Sequence, residues 1–217
     1  MALIDDILAS YTPGQSAVLG TVVDLQGSGY RRPGARILIH DDGHWVGAIS
    51  GGCLEKDAAR NARAWVEDGP KTVLFDTRSS QFQPLGAYGT GCEGVVHVFL
   101  EPLPVGPNRL DPLETIREMR QDGRDGVLVS AYAAHDAYLG PLGAVARVDG
   151  DDATWAEGFP RKLHDEVTHR AREAYRDQRS TGLRLQTDDA ELRLLAEYIE
   201  PTVELVIVGT GRDAAAL

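Results

Sequence analysis

The chain has 217 residues, is 42% hydrophobic and 25% charged, and carries a formal net charge of -11 from 22 basic and 33 acidic side chains. That is enough for one large domain or two small ones of ordinary soluble composition. The acidic excess disfavours non-specific association with nucleic acid or anionic membranes. No apolar run reaches the ~18 residues that a spanning helix needs. Two cysteines cannot build a disulfide framework, so a reducing cytoplasm is the expected setting.

In chain order, Leu3, Ile4, Ile7 and Leu8 recur at helical spacing. With Asp5 and Asp6 among them and no basic start, the segment reads as a short amphipathic helix and not as a signal peptide. Residues 17–25 are apolar and β-branched, a strand pattern. A glycine-bearing loop follows to Gly34, then a hairpin of strands 36–40 and 44–49 around Asp41-Asp42-Gly43. Residues 54–67 predict a helix with Leu54, Ala58, Ala62 and Trp65 on one face and Gly69-Pro70 as its stop. Glu55 and Asp57 fall in its first turn, where acids suit the helix dipole. Residues 71–76 alternate like a strand, and residues 77–94 form a long polar loop of a length that is usually functional or mobile.

Residues 95–100 predict a further strand. Asp111-Pro112 supplies a cap and first position for a helix to Gln121. Strands are expected over 126–134 and 143–148, a charged helix over 160–179, and strands over 183–186 and 192–198. His164 and His169 read as surface residues of that helix. Trp45, Trp65 and Trp155 suit core or interface roles. Residues 203–208 are a fully apolar strand that runs into Gly209-Thr210-Gly211, with Ala214 at the third position. Strand, Gly-x-Gly, then helix former is how a dinucleotide-binding unit begins. No second strand and no ribose-binding acid follow in this chain, so a truncated Rossmann domain is expected.

Both cysteines lie in glycine turns, Gly51-Gly52-Cys53-Leu54-Glu55 and Gly89-Thr90-Gly91-Cys92-Glu93-Gly94. Glycines permit tight folding and close approach of a ligand, and a thiol beside exposed amides can be held partly as thiolate. The region around Cys53 and Cys92 therefore reads as a site for an anionic or thiol-reactive ligand. Two cysteines without histidines are too few for a closed zinc site.

Three segments resemble, in order and spacing, the motifs of the XdhC/CoxI family. They are residues 27–36 (Gly-Ser-Gly-Tyr-Arg-Arg-Pro-Gly-Ala-Arg), residues 47–55 (Gly-Ala-Ile-Ser-Gly-Gly-Cys-Leu-Glu) and residues 88–94 (Tyr-Gly-Thr-Gly-Cys-Glu-Gly). Residues 201–211 resemble the start of that family's C-terminal Rossmann domain. Glu93 and Arg212 depart from the family pattern, which commonly has glycine and histidine there. The fold expected is α/β, a mixed sheet with flanking helices over residues 1–200, with the first strand and glycine loop of a Rossmann domain over 201–217.

The resemblance implies a xanthine dehydrogenase accessory factor, a non-catalytic chaperone for cofactor maturation. Such a protein binds the molybdenum cofactor (molybdopterin) and assists its sulfuration and insertion into an apo molybdenum hydroxylase of the xanthine or carbon monoxide dehydrogenase type. A cysteine desulfurase and a second copy of the chain are further expected partners, and NAD(P) would need the rest of the Rossmann domain. The cofactor carries a phosphate, and arginine grips phosphate through a planar fork. Arg31, Arg32 and Arg36 form the tight basic cluster before residue 100. Arg31, Arg32 and the amides of Ser50, Gly51 and Gly52 are thus expected at the phosphate. Cys53 and Cys92 are expected at the metal or sulfur end, with Cys92 as the metal contact, and Gly91 is expected among the cofactor-binding residues. Two other readings stay open: a nicotinamide-dependent thiol oxidoreductase, and a docking scaffold that binds no cofactor.

Overall fold

The computed structural model describes residues 2–77, 94–136, 140–186 and 190–202. The chain runs α1 (Ala2–Ser10), β1 (Ala17–Gly27), β2 (Arg36–His40), β3 (Trp45–Gly47), α2 (Glu55–Trp65), β4 (Lys71–Asp76) and β5 (Gly94–Leu103). It continues with α3 (Pro112–Gln121), β6 (Gly126–Asp136), β7 (Gly143–Asp149), β8 (Asp152–Trp155), a 3₁₀ turn (Arg161–Leu163), α4 (His164–Arg176), β9 (Thr181–Gln186) and β10 (Ala190–Ile199). Helix α3 starts where the sequence places it, with Pro112 in its first turn. The Asp111 carboxylate accepts hydrogen bonds from the amides of Leu113 and Glu114 at 2.9 and 3.1 Å. The short strand β8 is an addition to the expected elements. The helix expected over 160–179 enters through the 3₁₀ turn and ends at Arg176. No helix among the described residues is long and apolar enough to cross a membrane. The Rossmann start expected at 203–217 lies outside the described residues.

The α/β class holds, but in place of one mixed sheet there are two five-stranded sheets, β3-β2-β1-β5-β4 and β8-β7-β6-β10-β9. Every described pairing in them is antiparallel. The physical reason is connection length. Most of the links are hairpins or short loops, which return the chain beside itself, whereas a parallel neighbour needs a crossover of a dozen residues or more.

Strand periodicity then assigns the faces. In the first sheet Val18, Val22, Ile37, Ile39, Val96 and Val98 pack under α2, against Leu54, Ala58 and Ala62. In the second, Val127, Val129, Leu192, Leu194 and Ala196 pack under α4, against Val167, Ala171 and Ala174. The opposite parity of each sheet faces the other sheet: Val23 and Phe99 meet Tyr132 and Leu195. Helices α1 and α3 close one end of this junction with Ile7, Leu113, Ile116 and Met119. A bulge at Val23 breaks the β1–β5 register between Val22 and Asp24. It turns Leu25 back onto the α2 face just before the strand ends.

The junction between the sheets is polar at its centre. Arg36 of β2 donates from Nη1 and Nη2 to the two carboxylate oxygens of Glu197 of β10, at 2.6 and 2.5 Å. Both side chains are almost wholly buried. Beside them Glu101 of β5, 2% exposed, takes a 3.3 Å contact from Arg109, which also donates to the Leu142 carbonyl. Burial pushes the Glu101 carboxyl up to about 7, against the opposing pull of Arg109 and Arg36 and with a smaller push from Asp111.

This junction can be tested in two ways. Arg36→Met or Glu197→Met alone strands a buried charge and should destabilise the chain by about 3–5 kcal/mol, whereas the double variant should recover most of that loss, measured by urea unfolding. Glu101 keeps its proton to a higher pH when folded than when unfolded, so its contribution to stability is full below about 4.5 and is lost as pH rises to about 7. Glu101→Gln should therefore flatten the fall in stability over that window, a difference on the order of 3 kcal/mol by pH 8. Parallel slopes for the two proteins would contradict it.

Candidate functional site

Antiparallel order puts three connections at one end of the first sheet. The ends of β1, β3 and β4 and the starts of β2 and β5 share that edge. The loop after Gly27, the turn after Gly47 and the base of the connection between Thr77 and Gly94 therefore emerge together. The last of these is pinned. Thr77 N and Thr77 Oγ1 both donate to the Gly94 carbonyl, at 3.0 and 2.8 Å, and Gly94 N donates to Thr77 Oγ1 at 3.1 Å. Gly94 also lies against the first loop, where a Cβ would stand 2.6 Å from the Gln26 carbonyl oxygen and 2.7 Å from that of Ser28.

The turn around Cys53 is organised by Ser50 and Glu55. Glu55 Oε1 accepts from the amides of Ile49 and Ser50 at 3.0 and 2.7 Å, and Oε2 accepts from Ser50 Oγ at 2.6 Å. Ser50 Oγ in turn accepts from the amides of Gly52 and Leu54, both at 3.1 Å, and from the Cys53 thiol at 3.6 Å. Glu55 is 3% exposed. It stands in the first turn of α2 as expected, and there it also acts as a buried clamp. Two of the three amides expected at an anion, those of Ser50 and Gly52, are taken up inside the turn. Gly51 and Gly52 stay exposed and Cys53 is half-buried.

The first loop docks on this turn. Arg31 Nε donates to the Ser50 carbonyl at 3.4 Å. The Tyr30 ring rests on Gly51, and a Cβ there would come within 3.0 Å of Cδ2. Arg31 is half-buried and Arg32 is exposed. Neither makes an ion pair among the described residues, although acids outnumber bases by 33 to 22 in the chain. Arg31 also lines a cleft of about 200 Å³ with Ile4, Ile7, Gly34, Ala35, Arg36 and Ala48. Arg36, read from sequence as part of the basic cluster, is instead held inward by Glu197. The same carboxylate dictates Gly34, whose φ of +97° suits glycine and where a Cβ would sit 2.9 Å from Glu197 Oε1.

Arg31, Ser50, Gly51, Gly52 and Cys53 are thus brought together, and Arg32 is the exposed neighbour of Arg31 on the loop. Gly91 and Cys92 lie outside the described residues, on the connection whose base is the Thr77–Gly94 knot. His164, expected on the surface, instead stacks on Trp155 at a centroid distance of 3.8 Å, with Phe159 beyond. Sequence reasoning passed over Tyr30, an exposed aromatic inside a glycine motif, and undervalued Glu55. Its signal was the Ser-x₄-Glu spacing at a helix start, which lets the acid reach back to the amides before it. Glu55→Ala leaves two buried amides without acceptors and should cost about 3 kcal/mol, with faster amide exchange at Ile49 and Ser50. Unchanged exchange at both amides would refute the clamp.

Known proteins resemble this chain in both sequence and fold. Residues 11–76 match the family model described as "XdhC and CoxI family". The chain is 26% identical over 205 residues to a Bacillus subtilis protein named as a probable xanthine dehydrogenase subunit, covering 94% of this chain and 55% of that protein. It is 32% identical over 101 residues to the molybdenum cofactor insertion chaperone PaoD of Escherichia coli, covering 45% of this chain and 32% of that protein. A crystal structure described as a xanthine dehydrogenase from Bacillus halodurans superposes with a TM-score of 0.55 at 25% identity, covering 90% of this chain and 52% of that one. The chain spans about half the length of the Bacillus subtilis protein it matches, and less of PaoD. The matched segment runs from the end of α1 to the end of β4 and so contains both the arginine loop and the Cys53 turn; it is over this segment that the chain is similar to the XdhC and CoxI family.

Proposed function

We propose that this chain is the cofactor-handling part of an accessory protein for a molybdenum hydroxylase of the xanthine or carbon monoxide dehydrogenase type. It binds the molybdenum cofactor and assists its sulfuration and its insertion into the apo-enzyme, as a chaperone and not by turning over a substrate. The observation that carries this reading is the docking of the arginine loop on the Cys53 turn through the Arg31–Ser50 hydrogen bond, with neither Arg31 nor Arg32 paired to an acid among the described residues. The name of PaoD, a cofactor insertion chaperone, supports it from outside the chain.

The donor chemistry suits such a ligand. A pterin dithiolene with a phosphate tail presents a hard anion at one end and soft sulfur at the other. Guanidinium groups suit the phosphate as planar forks. The Gly51 amide, exposed and without a hydrogen bond among the described residues, adds a backbone donor. Cys53 and Cys92 suit the sulfur and metal end. When bound, the group supplies the molybdenum centre that the receiving hydroxylase uses. The chain's own residues hold it: the arginine loop fixes the tail, and the Ser50–Glu55 clamp keeps the Cys53 turn in one shape, so that little ordering is left to be done on binding.

The test is anaerobic titration of the chain with molybdenum cofactor, for wild type, Arg32→Ala and Cys92→Ala, at low and moderate salt. Wild type should bind. Arg32→Ala should bind about 10-fold more weakly, with a shallower salt dependence. Cys92→Ala should lose most of the affinity. A wild-type chain that takes up no cofactor would overturn the reading.

A further inference from the structure

Tyr30 is unlike the other aromatic residues among those described. Among the described residues, the exposed large hydrophobics are Tyr30 at 64% and Leu74 at 60%. An exposed ring on a loop is ordinarily free to turn. This one is seated. A Cβ built on Gly51 stands 3.0 Å from Tyr30 Cδ2 and 3.3 and 3.4 Å from its bonded neighbours Cε2 and Cγ. Distances so close to equal place that point above the ring face, because a point in the ring plane beyond Cδ2 would lie much further from both neighbours. One face of the ring is therefore covered by the Gly51 turn, and the exposure belongs to the rest of it.

The backbone on both sides of Tyr30 is anchored as well. Before it, Gly29 presses on Leu25, where a Cβ would meet Leu25 Cδ1 at 2.7 Å. After it, Arg31 is tied to the Ser50 carbonyl. The ring is thus held against the same turn that carries Cys53, and Arg32, exposed and without an ion pair among the described residues, stands two positions along the loop. A flat, half-covered phenol ring on the same loop as an exposed arginine matches a ligand with a planar heteroaromatic ring and an anionic tail. Offset stacking on such a ring requires no rearrangement of the protein.

We infer that Tyr30 is a stacking platform for the planar heteroaromatic ring of the bound ligand, with the Gly51 turn as its support. The inference rests on the cofactor reading above and assigns the pterin ring of that ligand to Tyr30. It also gives Gly51 a role apart from any amide it offers: a side chain there would lift the ring from its seat.

The experiment is anaerobic cofactor titration of wild type, Tyr30→Phe, Tyr30→Ala and Tyr30→Leu, with a circular dichroism melt of each. Tyr30→Phe keeps the ring and should bind within about twofold of wild type. Tyr30→Ala and Tyr30→Leu should bind about 10-fold more weakly or worse, the usual effect of removing an aromatic platform. Tyr30→Leu keeps an apolar side chain on Gly51 and so guards against a loss caused by the turn alone. In a second arm, free pterin serves as a ring-only probe, and the NMR signals of the Tyr30 ring protons should move upfield as it is added. Wild-type affinity in Tyr30→Leu, or no shift of those signals with pterin, overturns the platform and leaves cofactor binding standing. Failure of the wild-type chain to bind cofactor overturns both.

Discussion

The buried pair between Arg36 and Glu197 is the contact on which the rest of the molecule depends. It joins strands 161 positions apart in sequence and ties one sheet to the other with two parallel hydrogen bonds. A buried pair of this kind contributes little net stability compared with apolar side chains of the same volume. What it contributes here is position. A charge in that junction must meet its partner or bear the cost of burial alone, so the two sheets have one favourable alignment. Glu101 and Arg109 add a second polar contact in the same seam, and Thr72 Oγ1 donates across it to the Tyr132 carbonyl at 2.5 Å.

That alignment reaches the candidate site through a short path. Glu197 touches Gly34 as well as Arg36, and Gly34 ends the arginine loop. The third arginine of the cluster is thereby drawn inward as structure, and Arg31 and Arg32 are left on the outer side of the loop. The Val23 bulge acts on the same segment from the other end, since it seats Leu25 on the α2 face and Gly29 then packs on Leu25. The loop is thus held at both ends by interior contacts, while its middle, Tyr30 to Arg32, faces the Cys53 turn and solvent.

The Cys53 turn reaches the same rigidity by local means. The hydrogen bonds of its clamp fall within residues 49–55, around one carboxylate and one hydroxyl. Such a network is cooperative, and a member left unsatisfied in it would be costly. The two designs meet at Ser50, whose carbonyl takes Arg31 and whose side chain holds the turn. A glycine-rich segment can therefore be exposed without being loose.

Much of this was legible in the residues. The ends of β2, β4 and α3 stand where alternation, turn residues and the Asp111-Pro112 cap place them, because these depend on neighbours within a few positions. The Gly51-Gly52-Cys53 turn could be singled out as a candidate for the same reason. Tertiary structure decided what depends on distant partners. It split one expected sheet into two antiparallel ones, and it took Arg36 out of the basic cluster because Glu197 lies opposite. It also made Glu55 a clamp, since burial leaves its carboxylate no water to bond. Charge, pattern and spacing are properties of the chain alone. Whether a charged side chain faces a ligand, a partner or the solvent is settled only when the sheets close on one another, because that closure removes the water that would otherwise serve all three.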